Sequence, residues 1–180
     1  MSIHWWPGEF LKDNRAFIDA INLRMGYRLM PVSVTWPQSV PIATQQDAYT
    51  TYGDVSGRSD HNKCFKVQWS WVNKGVAPCY PGGYPTLTIK DDKDGIVSVL
   101  VDETLNLRDL KMGEPAKAPA AERESEFIIG LFSPATRPGT YDLYISVGIP
   151  DGTPTIELPL EGGDGQRRYK IGSITLREVN

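Results

Sequence analysis

Residues 65–71 read Phe-Lys-Val-Gln-Trp-Ser-Trp, an unbroken alternation of apolar and polar side chains. This period of two predicts a β-strand with one face in a core, because successive side chains of a strand point to opposite faces. No helical pattern alternates with the strand patterns, so we predict an all-β fold, an antiparallel immunoglobulin- or fibronectin III-like β-sandwich. Six further stretches have strand patterns bounded by turn residues: 27–36, 84–90, 96–102, 126–132, 139–147 and 169–176.

Local features refine this prediction. Pro31 restricts the first strand to a sheet edge or a bend, because proline donates no ladder hydrogen bond. The turn at residues 91–95 predicts a hairpin with Gly95 in the left-handed conformation. In the last strand the inward side chains change parity, which predicts a β-bulge near Gly172. Residues 111–125 read as a linker or edge loop.

A short helical segment precedes the strands. Residues 10–25 carry apolar side chains at helical spacing, with Asp13 or Asn14 as the predicted cap and Gly26 as the stop. The domain boundaries that follow are an N-terminal extension and helix at residues 1–26 and a β-sandwich at residues 27–180.

Composition excludes several classes of protein. The 180 residues include 19 basic and 22 acidic side chains, a net charge of −3, which lacks the basic footprint of a nucleic-acid-binding protein. No stretch of about 18 apolar residues is present, so no membrane segment is predicted. Cys64 and Cys79 flank the strand at 65–72, too far apart to bridge, and we predict two free thiols.

The sequence offers no strong metal or catalytic pattern. No Cys or His pair has metal-ligand spacing, and we predict no cofactor. A structural calcium ion is a lesser alternative, held by Asp91, Asp92 and Asp94 or by Asp54 with Asp60. No serine triad or phosphate loop is present, and no carboxylate pair has a spacing that indicates a glycosidase. We therefore predict that the chain is not an enzyme; a catalytic domain stays as a third alternative.

Aromatic side chains are the remaining signal. Trp69 and Trp71 share a face with apolar neighbours and are predicted in the core. Tyrosines beside polar loops or on a polar strand face can stack on the flat C–H faces of a sugar. The candidate carbohydrate-binding residues are Tyr49, Tyr52, Tyr80, Tyr84 and Tyr144.

Three stretches carry a resemblance to a known family. They are residues 71–81 (WVNKGVAPCYP) with 86–91 (TLTIKD), residues 138–141 (PGTY), and residues 161–172 (EGGDGQRRYKIG). Together they resemble the C-terminal β-sandwich of bacterial glycoside-hydrolase-like proteins of the domain of unknown function 4832 type. The resemblance implies that residues 1–26 are the remnant of a preceding barrel domain, and that the protein is extracellular or periplasmic.

The resemblance directs the functional prediction. We predict a non-catalytic carbohydrate-binding accessory module of a polysaccharide-degrading enzyme, which binds a plant-type polysaccharide by aromatic stacking and hydrogen bonds to hydroxyls. The expected partners are that polysaccharide and a covalently linked catalytic domain, with no nucleic acid and no membrane. The alternative is a purely structural sandwich that buttresses a catalytic barrel and binds no glycan. An exposed, coplanar pair of aromatic rings distinguishes the first reading from the second.

Overall fold

The computed structural model describes residues 8–22, 25–43, 63–114, 117–130 and 136–178. Within them the chain is largely β, with two sheets and few helices, which confirms the prediction of a mostly β protein. The sheet framework curls as a half-barrel. Neither of the two helices is long and apolar enough to cross a bilayer in the part of the chain that the structure describes.

The described residues form two helices, a 3-10 turn and nine strands. They are α1 (Gly8–Asp13), α2 (Arg15–Asn22), β1 (Leu29–Thr35), β2 (Ser39–Pro41), β3 (Phe65–Asn73), β4 (Tyr84–Lys90), β5 (Ile96–Val101), a 3-10 turn (Leu107–Asp109), β6 (Ala121–Phe127), β7 (Gly139–Gly148), β8 (Pro154–Ile156) and β9 (Tyr169–Arg177).

The strands form one small and one large sheet. The small sheet has the order β1-β3-β6, and the large sheet has the order β2-β9-β7-β4-β5, with β8 paired to β7. All pairings are antiparallel except that of β2 with β9, which is parallel. Side chains of both sheets meet in one hydrophobic core, where burial of apolar surface stabilises the fold.

The core confirms the strand faces predicted from alternation. Phe65, Val67, Trp69 and Trp71 of β3 are all buried, between 0 and 5% exposed. Trp69 Nε1 donates a hydrogen bond of 2.9 Å to Ser125 Oγ, so its polar atom is satisfied inside the core. The small sheet therefore contributes its aromatic face to the interior.

Two further local predictions hold. β1 is an edge strand, and its pairing with β3 shifts register between Pro31 and Ser33. In the pairing of β7 with β9, Leu143 lies opposite Gly172 and Tyr144 lies opposite Lys170. One extra residue of β9 therefore forms the predicted bulge beside Gly172.

The hairpin between β4 and β5 differs from the prediction. Asp94, not Gly95, has the left-handed conformation, with φ of 66°. Asp91 Oδ1 accepts hydrogen bonds from the backbone N–H groups of Lys93 and Gly95 at 2.9 and 2.7 Å. A Cβ on Gly95 would lie 2.8 Å from that carboxylate, so glycine is required here for the close approach.

Strand β6 lies earlier in the chain than predicted. It spans Ala121–Phe127 instead of residues 126–132, and so includes part of the predicted linker at 111–125. The reason is that Glu122, Glu124 and Glu126 face solvent at the sheet edge, where charged side chains are tolerated despite their low strand propensity.

The N-terminal helices are in the predicted region but not in the predicted form. Asn14 lies between α1 and α2 and its side chain donates to the carbonyl of Phe10 at 3.0 Å, so it does not cap a helix start. No residue of either helix is buried; Phe17 of α2 is 67% exposed. The helices add little to the core.

Asn73 fixes the chain between α2 and β1. Its Oδ1 accepts hydrogen bonds from the backbone N–H of Arg28 at 2.9 Å and of Gly75 at 3.0 Å. Its Nδ2 donates to the carbonyl of Ala77 at 2.8 Å. Asn73 itself is 0% exposed, so all the polar atoms of its side chain are buried and bonded to backbone groups.

Candidate functional site

A polar cleft lies where the chain between β7 and β9 folds back over the large sheet. Its volume is about 860 Å³. Segment 149–168 covers the outer face of that sheet, because Thr88 and Lys90 of β4 face away from the core and are nevertheless 0 and 2% exposed. The side chains that determine the chemistry of the cleft are Glu157, Leu160, Gln166, Arg167, Arg168 and Tyr169.

Asp164 builds the turn that carries the arginines. Its Oδ1 accepts hydrogen bonds from the backbone N–H groups of Gln166 at 2.7 Å and Arg168 at 3.1 Å. Its own N–H donates to the carbonyl of Arg168 at 2.9 Å. Gly165 and Arg167 take positive φ angles of 80 and 62° within this turn. One carboxylate thus organises the turn, as aspartate commonly does.

Lys90 anchors this turn to β4. Its Nζ lies 2.7 Å from Asp164 Oδ2 and 2.8 Å from Asp94 Oδ1. The same ammonium lies 4.8 Å from the centroid of the Tyr144 ring, in a cation–π arrangement. The Lys90 and Asp164 side chains are only 3 and 5% exposed.

The charges of this pair support each other. Burial by itself opposes ionisation of Asp164, but the hydrogen bonds from Lys90, Gln166 and Arg168 outweigh it and lower the pKa of Asp164. Burial likewise opposes the ammonium of Lys90, yet hydrogen bonds to Asp164 and Asp94 raise the pKa of Lys90. Both groups are therefore charged at neutral pH.

Arg168 has no such acidic partner. The residue is 8% exposed, its Nε donates to Thr88 Oγ1 and its Nη1 donates to Gln166 Oε1, both at 3.3 Å. These partners are neutral. Across the described ranges, no carboxylate lies within the 4.0 Å ion-pair distance of this guanidinium. A largely buried cation thus lines the cleft without a compensating charge.

Glu157 lies on the same cleft wall and also on that of a smaller cleft. The smaller cleft has a volume of about 310 Å³ and is lined by Tyr27, Arg28 and Leu29 as well. Glu157 is exposed, and within the described part of the chain it forms no ion pair. The Glu157 carboxylate and the Arg168 guanidinium therefore line the large cleft without forming an ion pair with each other.

A third cleft lies on the outer face of the small sheet, with a volume of about 380 Å³. There Glu124 is bound by Lys66 Nζ at 2.5 Å and by Gln68 Nε2 at 3.1 Å. Hydrogen bonds to Lys66 and Gln68 lower the pKa of Glu124. Glu124 is therefore paired with Lys66, whereas Glu122 and Arg123, which also line this cleft, form no ion pair with any described residue.

A buried polar chain joins the two sheets. Ser125 Oγ donates to Asp102 Oδ2, and Thr104 contributes its hydroxyl and its backbone N–H to Asp102 Oδ1 at 2.6 and 2.9 Å. Ser125 and Asp102 are 8 and 3% exposed, with no histidine among their hydrogen-bond partners. We interpret this group as structural.

Three of the five predicted carbohydrate-binding tyrosines lie among the described residues. Tyr49 and Tyr52 lie outside the described residues. Tyr80 is 69% exposed in a loop. Tyr84 pairs with Gly148 whereas Tyr144 pairs with Thr88, which separates the two by four positions along the strands, roughly 13 Å. Thus the three described tyrosines supply no coplanar exposed pair.

Two of the residues suggested for calcium have protein partners instead. Asp91 caps the β4–β5 turn, and Asp94 binds Lys90. Asp54 and Asp60 lie outside the described residues. Over the ranges that the structure does describe, no group of three His, Cys, Asp or Glu side chains is placed to hold a metal ion.

Both cysteines are free thiols. Burial raises the pKa of Cys64, and the nearby charge of Glu126 adds to the effect. Burial also raises the pKa of Cys79, although a backbone hydrogen bond with Gly82 offsets part of the increase. Neither sulfur has the lowered pKa of a reactive nucleophile.

The important residues of the large cleft escaped the sequence-based prediction. Residues 161–168 read as a glycine-rich loop with adjacent arginines at its end. The two adjacent arginines are the feature of the sequence that could have indicated a binding site in this loop. Nothing local indicates that Arg168 is buried while Arg167 is exposed, because this depends on contacts with β4.

Comparisons with known proteins do not assign this chain to a family. No family model matches the chain, and no curated protein matches it. Among solved structures, it is similar to Pseudomonas fluorescens alkylpurine DNA glycosylase AlkC bound to DNA containing an abasic site analog. The identity is 13%, the TM-score is 0.42, and the match covers 97% of this chain and 41% of that one.

These findings correct four predictions. The resemblance to a glycoside-hydrolase accessory sandwich is wrong, because no family model supports it and the similar structure is a DNA glycosylase. The predicted carbohydrate-binding function, with its structural alternative, is wrong on the same finding. The prediction that the chain is not an enzyme does not agree with the similar structure, which is that of an enzyme. The predicted partners, with nucleic acid excluded, do not agree with it either, because that structure contains DNA.

The net charge of the chain is also weak evidence against nucleic-acid binding. Net charge averages the whole surface, and a value of −3 does not exclude a local uncompensated cation such as Arg168. A likeness with a TM-score of 0.42 assigns no function to this chain. Function is therefore inferred from the geometry of the cleft. The extracellular or periplasmic location stays a prediction.

Proposed function

We propose that this chain is a ligand-binding β domain that receives an anionic group on the guanidinium of Arg168. One observation carries the proposal: Arg168 is 8% exposed, has only neutral side-chain partners, and lines an open cleft. A buried cation with no counter-charge is unfavourable, and an anion in the cleft relieves that cost.

The chemistry of the group defines the ligand. A guanidinium presents N–H donors in a planar fork that matches the oxygens of a carboxylate or a phosphate. Thr88 and Gln166 hold the fork through Nε and Nη1, and Nη2 has no protein acceptor among the described residues. Arg167 is exposed beside it and adds positive charge. The proposed ligand therefore carries a carboxylate or a phosphate.

We also propose that the two sheets form an immunoglobulin- or fibronectin III-type sandwich, with the β domain at residues 27–180. Two features support this arrangement. The chain passes from an edge of the small sheet in β1 to an edge of the large sheet in β2, and β2 runs parallel to the last strand. The site then lies on the outer face of the large sheet, away from the core.

The proposal is tested by titrating the purified chain with acetate and with inorganic phosphate, followed by NMR chemical shifts. Replacing Arg168→Gln removes the charge and keeps hydrogen-bonding atoms. We expect at least one of the two anions to bind, and the variant to weaken that binding about tenfold or more, the usual effect of losing a charged hydrogen bond. Arg108→Gln is the matched control, because Arg108 is exposed and outside the cleft. Equal affinity of the Arg168 variant and the wild type contradicts the proposal.

A further inference from the structure

Charges of both signs line the large cleft without an ion pair to any described residue: the guanidinium groups of Arg168 and Arg167 and the carboxylate of Glu157. Arg168 has neutral partners only, and Glu157 forms no ion pair with any described residue. Both line the same cleft of about 860 Å³, yet they are not paired with each other. Opposite charges in one cavity attract a ligand whose own charges are arranged to meet both.

We infer that the ligand is a zwitterionic short peptide, with its carboxylate on Arg168 and its ammonium on Glu157. This inference rests on the proposed function, because it places the anionic group at the same guanidinium. A simple anion would meet Arg168 but would also be repelled by Glu157. A zwitterion is attracted at both ends. Each of its charged groups loses water on binding and gains a charged hydrogen bond to the protein instead.

The size and lining of the cleft support a peptide rather than an inorganic ion. A volume of about 860 Å³ lies within the range of sites that enclose organic ligands of several hundred daltons. Leu160 and Pro154 are partly exposed in the wall and offer apolar contact. Thr153 and Gln166, which also line the cleft, offer side-chain hydrogen-bonding groups. This combination suits a main chain with modest side chains.

The test uses glycine peptides of one to four residues as probes, titrated into the purified chain and followed by calorimetry or NMR. Each peptide is compared with its N-acetylated form, which loses the ammonium, and its C-amidated form, which loses the carboxylate. The same series is run on Arg168→Gln and Glu157→Gln. Glu161→Gln is the control, because Glu161 is an exposed acid of the same segment that does not line the cleft.

We expect one peptide length to bind best, because only one length spans the two charges. Acetylation of that peptide should weaken binding to the wild type about tenfold or more. The Glu157→Gln variant should bind the free peptide more weakly than the wild type does, by a similar factor. It should bind the free and the acetylated peptide with equal affinity. Glu161→Gln should behave as the wild type does.

The failures of the two proposals are distinguishable. If acetate or phosphate binds through Arg168 but acetylation of the peptide has no effect, the anion site stands and the zwitterionic ligand is overturned. If no carboxylate or phosphate binds to the folded chain, both are overturned. Equal loss on acetylation in the wild type and in Glu157→Gln also overturns the inference, because the ammonium is then recognised elsewhere.

Discussion

Lys90 Nζ and Asp164 Oδ2 lie 2.7 Å apart although 74 positions separate the two residues in the chain. This ion pair attaches the turn at residues 161–168 to the outer face of β4. It thereby sets the position of Arg168, whose backbone N–H binds the same aspartate. The geometry of the proposed site therefore depends on a pair of residues that do not themselves need to touch a ligand.

Replacing Asp164→Asn should lower the free energy of unfolding by about 2 kcal/mol, because a nearly buried lysine loses one of its two counter-charges. Asp94 remains to neutralise Lys90, which limits the loss. Urea denaturation measures the change. Asp142→Asn is the matched control, because its pair with Lys170 is 49 and 38% exposed and should matter little. A change no larger than the control's would show that the pair does not stabilise the turn.

Acid should remove the contribution of Asp164 to stability. Its pKa is below the ordinary value of 3.8 in the folded chain, so the unfolded chain takes up a proton first as the pH falls. The stabilisation is complete above the unfolded-state pKa and is lost as the pH falls through the folded-state pKa. The difference in unfolding free energy between wild type and Asp164→Asn should therefore shrink toward zero in acid. A difference that persists unchanged across this range would contradict the lowered pKa.

Replacing Asn73→Ala should destabilise the chain by about 3 kcal/mol. The substitution leaves the N–H groups of Arg28 and Gly75 and the carbonyl of Ala77 without their side-chain partner beside a fully buried position. Thermal and urea unfolding measure the loss. Val76→Ser in the same turn serves as the control, because Val76 is 55% exposed. If both variants unfold alike, Asn73 does not hold the junction between α2 and β1.

Cys79 should resist alkylation until the chain unfolds. Its side chain is 0% exposed, and burial raises its pKa, so little thiolate exists at neutral pH. Mass spectrometry after iodoacetamide treatment should find Cys79 labelled only in denaturant. Cys64 is half-buried and provides an internal comparison that should react sooner. Rapid labelling of Cys79 in the native chain would show that this part of the core opens.

The strands that were predicted well are those whose pattern is local. The sequences of β3 and β7 alternate cleanly, so the period of two identifies their core-facing side chains, although both faces are buried at the C-terminal end of each strand. β6 was misplaced because its glutamates read as a polar linker, and only pairing with β3 makes them the outer face of an edge strand. β2 and β8 are three residues each and carry no periodic signal, so they were missed.

The candidate site was not predictable in the same way. The aromatic residues were chosen because their side-chain chemistry is visible in the sequence, whereas burial and charge compensation are not. Arg168 differs from the exposed Arg167 through contacts that include one with Thr88, 80 positions away.

Alternation, turn residues and bulge-forming glycine determine the mostly β character of the chain, since strand and turn conformations depend on neighbouring residues. The partners of Lys90, the isolation of Arg168 and the proximity of Glu157 arise only when segment 149–168 folds over the outer face of the large sheet. Electrostatic compensation acts through space, so a sequence pattern cannot show which charges are paired and which are left for a ligand.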